Sequence, residues 1–147
     1  MILPDAEATE AAGRLLAKAL RPGDVIALSG DLGSGKTSLA RGVLSGLGFA
    51  GEAPSPSFAL VIPYAPPAVC LPVWHVDLYR LESADDAEEL GLDEALSDSA
   101  LLIEWPERLG DRLWPDALQI RLDDAGSSGR RLTVSMPPSW EDRCPFR

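Results

Sequence analysis

A glycine-rich stretch between an apolar run and an amphipathic one constrains this chain most. The apolar run DVIALSG (residues 24–30) ends with the first glycine of the stretch. The amphipathic run KTSLARGVLSGLG (residues 36–48) begins with its lysine. Four residues satisfy the pattern G-x-x-x-x-G-K-[ST]: Gly30, Gly35, Lys36 and Thr37. Glycine permits the unusual backbone angles that let successive N–H groups wrap around a phosphate, and the following helix favours an anion there. The stretch therefore predicts a strand, a phosphate-binding loop and a helix in succession.

The loop also predicts its ligands, which are ATP or ADP together with Mg²⁺. In such a loop the lysine, here Lys36, reaches the β- and γ-phosphates, and the hydroxyl of Thr37 is offered to Mg²⁺. Lys36 is thus a predicted catalytic residue as well as a binding residue. The predicted nucleotide-binding residues in this stretch are Gly30, Asp31, Leu32, Gly33, Ser34, Gly35, Lys36, Thr37 and Ser38.

Carboxylates end two of the predicted strands. A phosphate loop works with a second Mg²⁺ ligand, which is a carboxylate at the end of an apolar strand. Glu104 follows the apolar run ALLI, and Asp77 ends the alternating run VWHVD. Both are candidates, and the more uniformly apolar strand favours Glu104 as the metal ligand. Asp77 is then the catalytic candidate, as a base or a water-positioning group.

Three further side chains are candidates for the same site. His75 lies two residues before Asp77 and shares a strand face with it. A lone histidine is more often a packed, hydrogen-bonded residue than a catalytic one, and we favour that interpretation for His75. Ser57 belongs to the loop PSPSF, which is either an ordinary loop or a sensor of the γ-phosphate. Trp105 follows the ALLIE strand and either packs in the core or lines the nucleotide site.

The rest of the chain predicts an α/β fold. It has a P-loop NTPase-like mixed sheet flanked by helices, with a C-terminal β-hairpin. Helices are expected over residues 5–20 (capped by Asp5), 36–48 and 83–98 (broken at Gly91). Strands are expected over residues 24–30, from near Phe58, within 68–80 and over 100–104, and the hairpin within 116–137. Residues 1–137 form a single predicted domain, and residues 138–147 are expected to be a loose tail.

Composition narrows the possible partners and compartments. The formal net charge is -10 over 147 residues, which argues against direct binding of nucleic acid by this chain alone. The two cysteines are far apart in the sequence, so reduced thiols in a cytosolic protein are expected. No secretory signal and no apolar run of about 20 residues are evident, so membrane association is not expected.

Other classes of nucleotide-dependent protein need residues beyond the phosphate loop. A Ras-like GTPase needs a lysine in its guanine-reading motif, and neither Lys18 nor Lys36 is placed to supply one. A small-molecule kinase usually carries an arginine-bearing lid over the phosphates, and the pair Arg130 and Arg131 is poorly placed for one. Phosphorylation of a small hydroxyl acceptor, with Asp77 as base, remains the alternative. A third possibility is a nucleotide-binding subunit that associates with partners without turnover.

Several segments together resemble the TsaE (YjeE) family. The segments occur in the family's order and span about residues 6–137: GDLGSGKTSLARG, SPSF, HVDLYRL, EELGLDEAL and LIEWPER. The phosphate loop alone is generic, whereas HVDLYRL with LIEWPER is far more specific. One departure is Ser57, because the family's switch-like loop usually reads Ser-Pro-Thr.

The resemblance implies a small ATPase of bacterial tRNA threonylcarbamoyladenosine synthesis. In that family the subunit acts with TsaB and TsaD, and TsaD transfers the threonylcarbamoyl group to adenosine 37 of tRNA. The subunit would meet tRNA only through that complex. Lys36 and Thr37 would bind phosphate and Mg²⁺, and Glu104 would be a Mg²⁺ ligand. Asp77 would serve catalysis, and Trp105 would lie near the nucleotide.

Overall fold

One mixed sheet organises the part of the chain that the computed structural model describes, which is residues 1–57, 60–126 and 129–146. Its strand order is β1-β7-β6-β2-β5-β4-β3. The strands are β1 (Ile2–Leu3), β2 (Val25–Ser29), β3 (Val61–Tyr64), β4 (Val73–Asp77), β5 (Ala100–Glu104), β6 (Leu118–Asp124) and β7 (Arg130–Ser135). The α-helices are α1 (Ala6–Ala17), α2 (Lys36–Gly46) and α3 (Leu92–Ala95), and 3₁₀ segments cover Ala84–Leu90, Pro106–Arg112 and Pro138–Trp140.

The centre of the sheet is parallel and its edges are antiparallel. Strand β2 pairs in parallel with β5 and β6, and β4 pairs in parallel with β5. Strands β3, β7 and β1 add antiparallel edges, and β6 with β7 forms the expected hairpin. The predicted fold class is therefore confirmed. Because the carboxyl ends of β2, β4 and β5 meet at one edge of the sheet, residues that follow these strands converge there.

Alternating side chains of the central strands fill two apolar layers. Ile26 and Leu28 of β2 pack toward α1 and α2 with Leu102 of β5. Leu101 and Ile103 belong to the opposite layer, which α3 and the 3₁₀ segments Ala84–Leu90 and Pro106–Arg112 cover. Strands buried on both faces read as continuous apolar runs, and VIAL and ALLI do so.

Helices α1 and α2 approach each other through glycines. A Cβ atom added to Gly13 would lie 2.3 Å from the carbonyl oxygen of Leu39. A Cβ atom added to Gly42 would lie 2.1 Å from the carbonyl oxygen of Glu10. Larger residues would force the helices apart, and α2 carries the loop lysine at its first position. This packing therefore fixes the start of α2 relative to the sheet.

Most of the element predictions agree with the structure. Asp5 caps α1, since its Oδ1 atom accepts a hydrogen bond of 2.8 Å from the Ala8 N–H. Helix α1 ends earlier than expected, with Lys18 as its C-cap. Gly91, in the left-handed region, separates a 3₁₀ segment from α3 at the predicted break. The strand start expected near Phe58 lies outside the described residues.

The prediction of a loose C-terminal tail is wrong. The Trp140 side chain is fully buried and Phe146 is also buried, both in the layer of α1 and α2. Arg143 donates to both carboxylate oxygens of Asp24, at 2.6 and 2.8 Å, and its guanidinium lies 3.9 Å from the Trp140 ring centroid. Burial of these aromatic rings fixes the segment against the domain.

Candidate functional site

The loop between β2 and α2 adopts the backbone that its glycines predict. Gly30 has φ 141° and Gly35 has φ 104°, both in the region that side chains disfavour. A Cβ atom on Gly30 would also lie 2.4 Å from the carbonyl oxygen of Leu122. The loop thus needs glycine at Gly30 for two reasons, its φ angle and its contact with β6.

Lys36 begins α2 and extends its side chain back beneath the loop. Its Nζ atom donates to the carbonyl oxygens of Gly30 and Asp31, at 2.7 and 2.8 Å. The same atom lies 4.3 Å from the centroid of the Trp105 ring. Burial lowers the pKa of the Lys36 ammonium, and the negative charge of Glu104 partly opposes this effect. The loop therefore holds a buried, only partly neutralised cation.

Thr37 and Glu104 meet across the first turn of α2. The Thr37 hydroxyl donates to the two carboxylate oxygens of Glu104, at 2.9 and 3.2 Å. Glu104 is the last residue of β5 and is 3% exposed. The two predicted metal ligands, 67 positions apart in sequence, are thus within hydrogen-bond distance of each other.

His75 contacts the same carboxylate from the neighbouring strand. Its Nε2 atom lies 2.6 Å from Oε2 of Glu104, and the ring is fully buried. The ring tautomer that carries its proton on Nε2 donates to this oxygen when Glu104 is a carboxylate. His75 is therefore a packed, hydrogen-bonded residue as predicted, and its partner is the candidate metal ligand.

Asp77 ends β4 directly beside Glu104 in the parallel register. Its Oδ1 atom accepts a hydrogen bond of 2.9 Å from the Tyr79 N–H, and its Oδ2 atom accepts a long one of 3.5 Å from the Ser57 hydroxyl. Burial raises the pKa of the Asp77 carboxyl, while the hydrogen bond from Tyr79 opposes the rise. A carboxyl with a raised pKa is better matched to proton transfer than an ordinary one.

Trp105 follows Glu104 in the left-handed backbone region, with φ 62° and ψ 50°. This conformation is uncommon for a bulky residue and turns the chain sharply out of the sheet. The indole contacts both the Lys36 ammonium and the Tyr79 ring, whose centroid is 4.9 Å away. Trp105 thus combines the two alternatives, because it packs on Tyr79 and lines the site at once.

These side chains surround one cleft of about 250 Å³, called the loop cleft here. The residues that line it are Leu32, Gly33, Ser34, Gly35, Lys36, Thr37, Ser38, Ser57, Asp77, Glu104 and Trp105. The remaining predicted residues, Gly30 and Asp31, present their carbonyl groups to Lys36. The structure thus brings the predicted site residues together, although their individual roles stay predictions.

One contact to the loop was missed by sequence reasoning. Arg130 of β7 donates from Nε to the carbonyl oxygen of Ser34 and from Nη2 to that of Gly33, each at 3.0 Å. From the sequence alone, Arg130 and Arg131 are poorly placed as a kinase lid, and no contact of Arg130 with the phosphate loop is expected. No local signal links the hairpin with a loop almost a hundred positions earlier, so the sequence offered no means of finding this contact.

The comparisons with known proteins agree on one family. The family model described as "Threonylcarbamoyl adenosine biosynthesis protein TsaE" matches residues 3–132. A "tRNA threonylcarbamoyladenosine biosynthesis protein TsaE" from Streptomyces coelicolor is 43% identical over 128 residues, covering 84% of this chain and 86% of the relative. The protein of the same name from Bacillus subtilis is 39% identical over 130 residues, covering 88% and 80%.

A solved structure supports the same assignment. The crystal structure of Bacillus subtilis YdiB superposes with a TM-score of 0.83 at 32% identity, covering 98% of this chain and 89% of that chain. Among the helices of the described residues, none is long and apolar enough to cross a membrane. From the match over residues 3–132 and the identity to its relatives, the chain belongs to the TsaE family of tRNA threonylcarbamoyladenosine biosynthesis.

Proposed function

We propose that this chain is a Mg²⁺-dependent ATPase that supports threonylcarbamoylation of adenosine 37 of tRNA, together with TsaB and TsaD. The observation that carries the proposal is the convergence of Lys36, Thr37 and Glu104 in the loop cleft. A cation and a hydroxyl at the start of a helix, with a carboxylate beside them, are the groups that hold a nucleoside triphosphate and its metal.

The donor set fits Mg²⁺. The hydroxyl of Thr37 and the carboxylate of Glu104 are hard oxygen ligands, which this ion prefers. Among residues 1–57, 60–126 and 129–146, no three His, Cys, Asp or Glu side chains form a metal-binding group. That agrees with an ion bound by one or two protein oxygens plus phosphate oxygens and water. When bound, Mg²⁺ would neutralise charge that develops on the phosphates.

The other residues of the cleft have separable roles in this proposal. Lys36 places a buried positive charge where the phosphates would bind, and the loop N–H groups orient them. Asp77 accepts a proton from, or orients, the attacking water, a role that its raised pKa suits. His75 holds the Glu104 carboxylate toward Thr37. Trp105 covers Lys36 and limits the access of bulk water to it.

The proposed partners follow from the family and from the net charge of the chain. With a net charge of -10, the chain lacks the excess of basic residues that a nucleic-acid surface needs, so tRNA would be met through TsaB and TsaD. Ser57 links the loop PSPSF with Asp77, and the segment 83–98 is acidic. We propose that these segments report the nucleotide state to the partner proteins in the cytoplasm.

Reconstitution tests the proposal. The assay contains labelled threonine, TsaC-made threonylcarbamoyl-adenylate, TsaB, TsaD, tRNA, ATP and Mg²⁺, with TsaD limiting. Wild-type chain is expected to raise the number of tRNAs modified per TsaD, and Lys36→Ala is expected to abolish this gain. Lys18→Ala, which changes the chain's other lysine, is the matched control. Unchanged multiple-turnover modification, with transfer of phosphate to a metabolite, would instead favour the kinase alternative.

A further inference from the structure

We infer that Arg130 is a positioning residue that holds the phosphate loop in its binding conformation from the outside. The inference rests on the proposed function, because it concerns how the loop would present its N–H groups to phosphate. Arg130 begins β7 and its side chain is 27% exposed. It lines a separate cavity of about 190 Å³ on the loop, together with Asp31, Leu32, Gly33, Ser34, Leu122, Asp123 and Asp124.

The guanidinium binds two successive peptide groups of the loop. Nη2 donates to the Gly33 carbonyl oxygen and Nε to the Ser34 carbonyl oxygen, each at 3.0 Å. Nη1 donates to the Gly129 carbonyl oxygen at 2.9 Å, which ties the guanidinium to the residue just before its own strand. A rigid planar fork with several donors suits this task, whereas a lysine offers a single nitrogen.

Planarity of the peptide bond transmits these contacts to the other side of the loop. In a trans peptide the C=O and N–H groups point in opposite directions. The Ser34 carbonyl points to Arg130, so the N–H of Gly35 points away from Arg130 and toward the loop cleft, which Gly35 lines. The Ser34 N–H is fixed separately by a hydrogen bond of 3.0 Å to the Asp31 carbonyl oxygen.

The positive charge of Arg130 favours phosphate binding by the loop as well. A guanidinium bound to a carbonyl oxygen polarises the peptide and makes its N–H group a stronger donor. The carboxylate of Asp124 is 3.9 Å from Nη1 of Arg130, but it is 81% exposed and screened by solvent. Arg130 thus adds positive potential to the loop of an otherwise acidic chain.

Binding of ADP and of inorganic pyrophosphate tests the inference. Calorimetry with Mg²⁺ compares wild type, Arg130→Gln, Arg130→Lys and the matched control Arg131→Gln, which changes the exposed neighbour. We expect the Kd of both probes to rise about tenfold in Arg130→Gln, which is about the effect of losing one hydrogen bond to a charged group. Arg130→Lys should be intermediate, and Arg131→Gln should match wild type.

Two further readouts separate positioning from general destabilisation. The thermal midpoint of Arg130→Gln should stay close to that of wild type, while the amide resonances of residues 33–36 shift. If Arg130→Gln fails to fold, Arg130→Lys decides alone, and an unchanged Kd there overturns the inference. Equal Kd values for wild type and Arg130→Gln overturn it directly. A wild-type chain that binds neither probe refutes the proposed function and this inference with it.

Discussion

Replacement of Lys36 by methionine removes the one buried cation of the loop cleft while keeping a long side chain. In the structure its ammonium group donates to the carbonyl oxygens of Gly30 and Asp31 and lies against the Trp105 ring. The substitution deletes these contacts, but it also removes a charge that burial disfavours, as the lowered pKa indicates. Because the two effects on folding oppose each other, we expect little change in the thermal midpoint.

The expected loss of nucleotide affinity is larger. Two unit charges about 4 Å apart interact by about 4 kcal/mol at an effective dielectric constant of about 20. Part of this gain is offset, because Lys36 must give up about one of its two hydrogen bonds to the loop carbonyls, and one bond to a charged group contributes about 1.5–3 kcal/mol. A net loss of about 2 kcal/mol remains, which corresponds to a rise of about 30-fold in Kd.

Calorimetric titration of ADP and of a slowly hydrolysed ATP analogue, both with Mg²⁺, measures this loss. Lys18→Met is the control, because Lys18 is exposed and is the chain's other lysine. A Lys36→Met variant that folds like wild type and binds both nucleotides with unchanged affinity would refute the assignment of the loop as a phosphate site. A loss in both lysine variants would indicate a nonspecific charge effect.

Glu104→Gln should raise the Mg²⁺ concentration needed for half-maximal hydrolysis about tenfold, whereas Asp77→Asn should lower hydrolysis about 100-fold with ADP still bound. Titration of Mg²⁺ against rate tests both, and the reverse pattern would exchange the two roles. Since burial raises the pKa of Asp77, its charged form destabilises the fold, so Asp77→Asn should be more stable than wild type at neutral pH in EDTA. Urea unfolding should show this difference fade as the pH falls through the raised pKa toward the ordinary value of 3.8. Trp105→Phe should abolish the change in tryptophan emission on nucleotide binding, and a persisting change would place Trp105 away from the nucleotide. Trp140→Ala should cost about 3–5 kcal/mol in urea unfolding, because it empties a fully buried site; stability equal to that of wild type would contradict the packed C-terminal segment.

The loop and its flanking elements could be predicted because their determinants are local. Gly30 and Gly35 are needed where the backbone enters the positive-φ region, and the apolar run before them has the pattern of a buried strand. Asp77 and Glu104 could be chosen as candidates because each carboxylate ends a predicted strand of a phosphate-loop fold. These inferences required no knowledge of which strands are neighbours.

The contacts that escaped prediction depend on the three-dimensional arrangement. Arg130 reaches the loop only because β6 places the hairpin beside β2, which no local pattern encodes. The last ten residues lie at a chain terminus, where loose segments are common, yet Trp140 fills a space in the layer of α1 and α2 that only the assembled sheet and helices create. Large hydrophobic residues near a terminus are therefore the better sign that the segment packs against the domain.

The polar groups of the loop cleft show why folding and site formation are coupled in this part of the sheet. A buried carboxylate is costly unless it is hydrogen-bonded, and Glu104 meets that requirement through Thr37 of α2 and His75 of β4. Each partner comes from a different element, so the carboxylate is satisfied only when α2, β4 and β5 are all in place. The hydrogen bonds that stabilise the buried Glu104 carboxylate also direct its oxygens toward Thr37. The metal-binding geometry proposed here is therefore set by the packing of the domain, before any ligand contributes to it.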